Sequence, residues 1–368
     1  MNSPDTQPYA IAETLHIVEP TLEDYTGHCY SFIESLCRAG PEQSFEVWAG
    51  RRAQALFDGF PNVRLHPHFW RRIRKFQTLF LYRRLLRKGR CIFVPTTGST
   101  DLILADLALH GAVRLNKIAF FIHWIRPEQN KIRRLSRIAR RRPYLNVLGP
   151  TPTTVEILKD AGFGSAKMVP YPIVPWAGPP PGEAGFRHVL FPGAARLDKG
   201  FDKVTDLVAF LKKQELEIPL VVQISSRHYD KVDPPVARQL DRLQRLNYSL
   251  LKAYPQTLGT MEYADLFPGA ICLQPYDRCE FVDRVSAITL DALSRGAPVV
   301  ATAGTWIGRM VERFEAGITL DDLTAASLCD AVQKVIRDYP RFASRAASAG
   351  QILQREHHAS YLLATVTR

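Results

Sequence analysis

The sequence predicts two tandem α/β domains, each an open and mostly parallel sheet wrapped by helices in the Rossmann-like manner. Three observations lead there. A chain of 368 residues with 46% hydrophobic and 23% charged content suits two domains with separate cores. Short apolar runs alternate with helical patterns along both halves, the signature of a parallel sheet with helical crossovers. Near the middle, the proline-rich stretch YPIVPWAGPPPG at 171–182 interrupts the alternation and reads as the hinge. The boundaries that follow are 1–175 for an N-terminal domain and 176–350 for a C-terminal one.

In the N-terminal half the first strand ends at Leu15, His16, Ile17 and Val18. A loop with Gly27 follows, then a helix whose Phe32, Ile33, Leu36 and Cys37 share one face. Further strands are predicted at 45–48, 91–94, 118–122 and 145–148. The C-terminal half repeats the plan with strands at 188–191, 220–224, 270–273 and 298–301, and helices around 204–212, 237–246 and 288–294. Ligands of such sheets bind at the carboxyl ends of the strands, so a cleft between two facing domains is the expected site.

Composition excludes several classes. The first dozen residues lack a basic region followed by an apolar one, and no stretch of 18 residues is apolar and uncharged, which predicts a cytoplasmic protein without a span. Six scattered cysteines fit neither a zinc pattern nor a disulfide scaffold. The net charge of +12 is uneven: residues 1–175 hold 25 Lys/Arg against 14 Asp/Glu, and residues 176–368 hold 23 against 22. The excess predicts an anionic partner for the N-terminal half. It gathers in a basic amphipathic segment at 68–90, densest from Arg71 to Arg90, with Phe69, Ile73, Phe76 and Phe80 on one predicted helical face, and in a second cluster from Lys131 to Arg142. Either suits an anionic membrane surface, or a solvated helix packed by its aromatic side. No helix-turn-helix, zinc-finger or RNP pattern accompanies these cations, so nucleic acid is not an expected partner.

The strongest motif is AICLQPYDRCEFVDRVSAITLDALSRGAPVVATAGTW at 270–306: a strand, a polar loop, a helix opening near Ser286, a stop at Gly296 and a Val-rich strand. The helix N-terminus offers backbone N–H groups to a diphosphate, with Ser286 placed to cap it. Arg284, just before it, adds a charge-assisted donor. Glu280, Asp283 and Asp291 put carboxylates in the loop and along the helix, where they accept from sugar hydroxyls or merely favour a helix start and a solvated face. A second motif, FPGAARLDKGFD at 191–202, places Gly193 where backbone approaches a ligand, and Arg196 and Lys199 where a strand hands over to a helix. In the N-terminal half, Gly27 and His28 end the first strand-to-helix loop and His123 closes the strand at 118–122, each a site residue or a structural one.

Residues 283–300 resemble the acidic-x7-acidic signature of glycosyltransferase family 4: Asp283, then Asp291-Ala-Leu-Ser-Arg-Gly-Ala-Pro-Val-Val. Aspartate stands where the family prefers Glu, which leaves Glu280 as a substitute for Asp283. Gly193, Arg196, Lys199 and Gly200 resemble the family's Gly-Arg-x-x-x-Lys-Gly stretch with a different Arg-to-Lys interval, and the likeness extends to Gly304-Thr305-Trp306. The resemblance implies the GT-B fold, with a helix over 351–368 returning to the N-terminal domain. It implies a nucleotide-diphosphate sugar as donor, with Arg196 and Lys199 on the diphosphate, Arg284 and Ser286 beside them, and Asp283 or Glu280 with Asp291 on donor hydroxyls. Gly27, His28 and His123 would lie near the sugar. It further implies transfer of a hexosyl group to a glycan or lipid-linked acceptor, with retention and without a metal or other cofactor, in surface polysaccharide assembly on the inner face of the cell membrane. The residues leave open an inverting reaction with His123 or an acid as base, a sugar-nucleotide epimerase of the same fold, and a non-catalytic or nucleic-acid- or anion-binding protein on that fold.

Overall fold

The computed structural model describes residues 13–25, 27–110, 117–126, 128–176, 178, 185–225 and 233–367. These form two compact units: the described residues up to Pro172 together with those from Ala359 onwards, and Ile173–His358. Residues 177 and 179–182 of the expected hinge, and the first dozen residues, lie outside the described residues.

The first unit holds strands β1 (Leu15–Glu19), β2 (Phe45–Gly50), β3 (Val63–Phe69), β4 (Cys91–Val94), β5 (Ile118–Phe121), β6 (Asn146–Gly149) and β7 (Lys167–Met168). They pair in parallel in the order β3-β2-β1-β4-β5-β6-β7. Helices α1 (His28–Ala39), α2 (Arg74–Arg87), α3 (Ser99–Ala108), α4 (Gln129–Arg141) and α5 (Pro152–Asp160) connect them. A parallel sheet covered on both faces needs apolar side chains pointing both ways, and Leu15, Ile17, Val18, Phe93, Phe120, Phe121, Val147 and Leu148 are all buried.

The second unit holds β8 (His188–Phe191), β9 (Leu220–Gln223), β10 (Leu251–Tyr254), β11 (Ala270–Gln274), β12 (Val299–Thr302) and β13 (Gly317–Leu320), all parallel in the order β10-β9-β8-β11-β12-β13. Its helices are α6 (Phe201–Lys213), α7 (Pro234–Arg245), α8 (Thr260–Ala264), α9 (Arg278–Phe281), α10 (Ala287–Ser294), α11 (Trp306–Phe314), α12 (Ala325–Arg337) and α13 (Tyr339–Glu356). Threonine and serine caps start three of them: Ser286, Thr305 and Thr324 accept from the N–H groups of Thr289, Gly308 and Ser327. The segment from 351 onwards is two helices, the end of α13 and then α14 (Ser360–Val366), which packs on α1 in the first unit. In each sheet the strand order reverses once, between β1 and β4 and between β8 and β11. The loops leaving those strands are where ligands of such sheets bind.

The basic segment at 68–90 is corrected by the structure. It is not one helix: Phe69 is a buried residue at the end of β3, and α2 begins only at Arg74. Nor does its aromatic side pack inward. Helix α2 carries two apolar stripes, and the one that enters the core is Leu81, Tyr82, Leu85 and Leu86, while Ile73, Phe76 and Phe80 are exposed. The buried stripe is the longer run of close-packing side chains, and it wins the competition for the sheet. Strand β3 escapes sequence reading although Val63, Leu65 and Phe69 alternate with Arg64, His66 and His68, because Pro67 interrupts the apolar positions.

Gly200 joins two parts of the second sheet. Its φ is 73°, and a Cβ there would collide with the carbonyl oxygen of Pro275, just after β11. Gly200→Ala is expected to lower unfolding free energy by well over the ~1–2 kcal/mol of left-handed strain. Gly89→Ala, at φ 65° with nothing within 4 Å of its Cβ, is expected to cost only that strain. Urea unfolding of the two variants side by side makes the comparison.

Candidate functional site

The loop from β8 to α6 carries Gly193, Arg196 and Lys199, and its backbone is held firmly. A single 3₁₀ turn spans Leu197–Lys199, Gly200 abuts Pro275, and the Asp277 N–H donates to the Asp198 carbonyl at 2.9 Å. The Asp198 side chain lies among cations. Arg196 Nε donates to its Oδ1 at 2.8 Å, Arg196 Nη2 donates to its Oδ2, and Arg284 Nη1 stands 3.9 Å from Oδ2. Lys199 Nζ sits 5.7 Å from the centre of the Tyr276 ring. A Cβ on Gly193 would lie 3.1 Å from Lys199 Nζ and 3.3 Å from Ile288 Cδ1, so the glycine makes room where the lysine meets the first turn of α10. Burial, then Arg196, pulls Lys199 down to about 8, and the same two causes lower Arg284, with Asp198 opposing both. Three cations share one carboxylate, so an arriving anion relieves their repulsion.

Ser286 is buried and caps α10. Its Oγ accepts from the Thr289 N–H at 3.3 Å and from Gln274 Nε2 at 3.2 Å, while Gln274 Oε1 accepts from the Thr289 hydroxyl at 2.7 Å. The N–H groups of Ala287 and Ile288 keep no intrahelical acceptor, as first-turn donors do not. The carboxylates divide. Asp283 Oδ1 accepts from Arg309 Nη2 at 3.1 Å, and its Oδ2 is buried without a partner among the described residues. A ligand hydroxyl is the kind of donor such an oxygen lacks. The Glu280 N–H donates to Asp277 Oδ1 at 2.8 Å, and its charge acts on Arg284. Asp291 is engaged elsewhere: Oδ1 accepts from Arg295 Nη1 at 3.0 Å and Oδ2 from the Tyr263 hydroxyl at 3.1 Å. Arg295 in turn lies over the Trp176 and Phe267 rings.

In the first unit the predicted residues also meet. Gly27, at φ 80°, caps α1. The His28 ring packs edge-on against His123 at 5.4 Å, and His123 Nε2 lies 2.8 Å from the Pro95 carbonyl, with Phe32, Phe121 and Tyr171 around the ring. Glu19, the last residue of β1, is 1% exposed. Its Oε1 accepts from the Thr21 N–H at 3.1 Å and from the Thr21 hydroxyl, and its Oε2 from Thr96, which ties the loop after β1 to the loop after β4. Burial pushes this carboxyl up to about 7 despite those donors. Sequence reasoning missed Glu19, Asp198, Gln274, Tyr276 and Arg309. A carboxylate or amide closing an otherwise apolar strand was the available signal for Glu19 and Gln274, and Asp198 lies between the two cations of the quoted motif.

No protein-family model matches the chain, and no curated protein matches it by sequence. Its structure is similar to that of Anabaena HepE (Alr3699) in complex with UDP-glucose, at 14% identity and TM-score 0.68 over 96% of this chain and 98% of that one. It is similar to trehalose-6-phosphate from E. coli bound with UDP-2-fluoro glucose (14%, 0.67, 97% and 99%). Sucrose-phosphate synthase from Thermosynechococcus elongatus is similar to the same degree (13%, 0.68, 96% of each). The fold is therefore α/β with two tandem Rossmann-like domains, the GT-B class.

Glu19 has a checkable consequence. Its folded pKa, about 7, lies above the ordinary glutamate value of 4.5, so between those values the unfolded chain releases a proton that the folded one keeps. Stability then falls as pH rises through that window, by about 3 kcal/mol at most. Glu19→Gln keeps the acceptor for Thr21 and offers Thr96 an N–H in place of an acceptor, which its hydroxyl can accept after turning, and is expected to flatten the slope, as urea midpoints from pH 4.5 to 7.5 would reveal.

Proposed function

We propose that the chain is a nucleotide-sugar-dependent glycosyltransferase that moves a hexosyl group from a nucleoside-diphosphate sugar to a glycan or lipid-linked acceptor. The observation that carries this reading is the cluster of Arg196, Lys199 and Arg284 around Asp198 beside the first turn of α10. When the bond from the anomeric carbon breaks, its electron pair leaves with the diphosphate. Preorganised cations and helix N–H groups stabilise that charge where it develops. They supply this without calling on a metal, and the reaction proceeds with retention and no dedicated base. Asp283 takes a donor hydroxyl through Oδ2. Glu280 stands by for it, and Asp291 serves once freed from Arg295. Gly27, His28 and His123 form the sugar and acceptor side in the first unit. Similarity to proteins solved with UDP and UDP-glucose favours a UDP-sugar donor. The acceptor pathway is surface polysaccharide assembly at the cytoplasmic face of the membrane.

One observation favours a second reading, a donor binder that does not transfer: the ion pair of Asp291 with Arg295 and its bond from Tyr263. Thermal unfolding with UDP and UDP-glucose, followed by release of UDP from UDP-glucose, separates the two. Stabilisation with UDP release supports the transferase, and stabilisation without release supports the binder. A folded protein that neither compound stabilises overturns both.

The cation cluster also sets the pH dependence. Lys199 titrates near 8 in the free protein and is held charged by a bound diphosphate, so UDP affinity is expected to fall as pH rises above about 8. Lys199→Ala and Arg284→Ala are each expected to weaken UDP binding about 10- to 100-fold. Lys199→Ala alone also loses the decline above pH 8, as titration calorimetry at several pH values checks.

A further inference from the structure

We infer that the edge of the first unit running from Trp70 along α2 docks on an anionic lipid bilayer. Trp70, Ile73, Phe76 and Phe80 are 55%, 49%, 67% and 63% exposed. Their spacing continues one helical stripe, from Ile73 at the N-cap through Phe76 and Phe80 to Arg83, Arg84 and Arg87. The opposite stripe is already committed to the core, and among the described residues the Arg51 guanidinium lies over the Trp70 ring while Ile73, Phe76 and Phe80 stay exposed.

The same stripe turns cationic at its end. Phe80, Arg83, Arg84, Arg87 and Lys88 line a shallow groove of about 360 Å³. Between Asp58 and Asp101 the chain has ten Lys/Arg and no acidic residue. Arg83 donates to the Leu107 carbonyl at 3.4 Å and Arg84 lies over the Trp48 ring, so among the described residues neither is neutralised by a carboxylate. Apolar rings at one end and uncompensated cations at the other match a bilayer surface. The rings enter the boundary between headgroups and acyl chains, and the cations meet lipid phosphates. A second copy of the chain fits poorly, because it would bring together two segments that each carry ten cations and no carboxylate. Helix α4 lacks the combination: its Leu135, Ile138 and Ala139 face the core, and Arg141 and Arg142 are paired with Asp106. This surface adds a partner to the proposed function and does not depend on the donor chemistry.

The test is co-sedimentation of the full chain with phosphatidylcholine vesicles, with and without phosphatidylglycerol, at physiological salt. The protein is expected to bind only the anionic vesicles. Arg87→Gln with Lys88→Gln should weaken partitioning about 25-fold, at about fivefold per cation. Phe76→Ser with Phe80→Ser should weaken it at least about tenfold. Both double variants alter exposed side chains and should keep the wild-type unfolding midpoint and any shift produced by UDP. Binding that ignores phosphatidylglycerol, wild-type binding retained by both double variants, or no binding to anionic vesicles overturns the proposal. So does a wild-type dimer that dissociates in Phe76→Ser with Phe80→Ser, which would make a second copy the occupant.

Discussion

The crowding of Arg196, Lys199 and Arg284 around a single aspartate is the constraint on which the second unit's site depends. Like charges a few ångströms apart repel by several kcal/mol at the effective dielectric of a partly buried site. A flexible loop would relax by turning one side chain to water. The loop after β8 cannot, because the turn at Leu197–Lys199, the contact of Gly200 with Pro275 and the bond from Asp277 to the Asp198 carbonyl fix its backbone. Burial first, and then Arg196, depress the Lys199 pKa in that setting. A site held in this state has little to reorganise when a diphosphate arrives.

Each unit ends a strand beside its strand reversal on a buried polar residue, β1 in the first unit and β11 in the second. At the end of β11, Gln274 joins Ser286 and Thr289 and sets the start of α10. At the end of β1, Glu19 joins Thr21 and Thr96 and sets the loops on either side of the strand reversal. In both places a polar residue closing an apolar strand fixes backbone that carries candidate side chains, the half-buried Arg284 in one unit and the exposed His28 in the other. The costs differ. Gln274 is neutral and its bonds are made within the helix start, whereas Glu19 must keep a proton or bury a charge.

Local chemistry made the legible parts legible. The strands at 15–18, 91–94 and 188–191 are short apolar runs between turn signals, and Ser286 caps a helix that the following Ala-Leu-Ser run already implies. Arg196, Lys199 and Arg284 could be named because each lies at a strand-to-helix junction. What stayed hidden depends on partners far along the chain. Asp283 and Asp291 look equivalent in sequence, yet Arg309 leaves one oxygen of the first unpartnered, while Arg295 and Tyr263 occupy the second. Arg309 and Tyr263 arrive from other helices, beyond any spacing rule, whereas Arg295 stands four residues after Asp291, where the helical period already places it.

Helix α2 shows the same limit from another side. Periodicity finds an apolar stripe, but when a helix has two, only the competition for the sheet decides which is buried. The core takes Leu81, Tyr82, Leu85 and Leu86, branched aliphatics and one aromatic at close spacing, and leaves Phe76 and Phe80 outside. Four large exposed apolar side chains in a row would ordinarily invite self-association. Here the cations that follow them on the same stripe oppose a second copy and favour an anionic surface, so the charge selects among partners that the apolar area alone would admit.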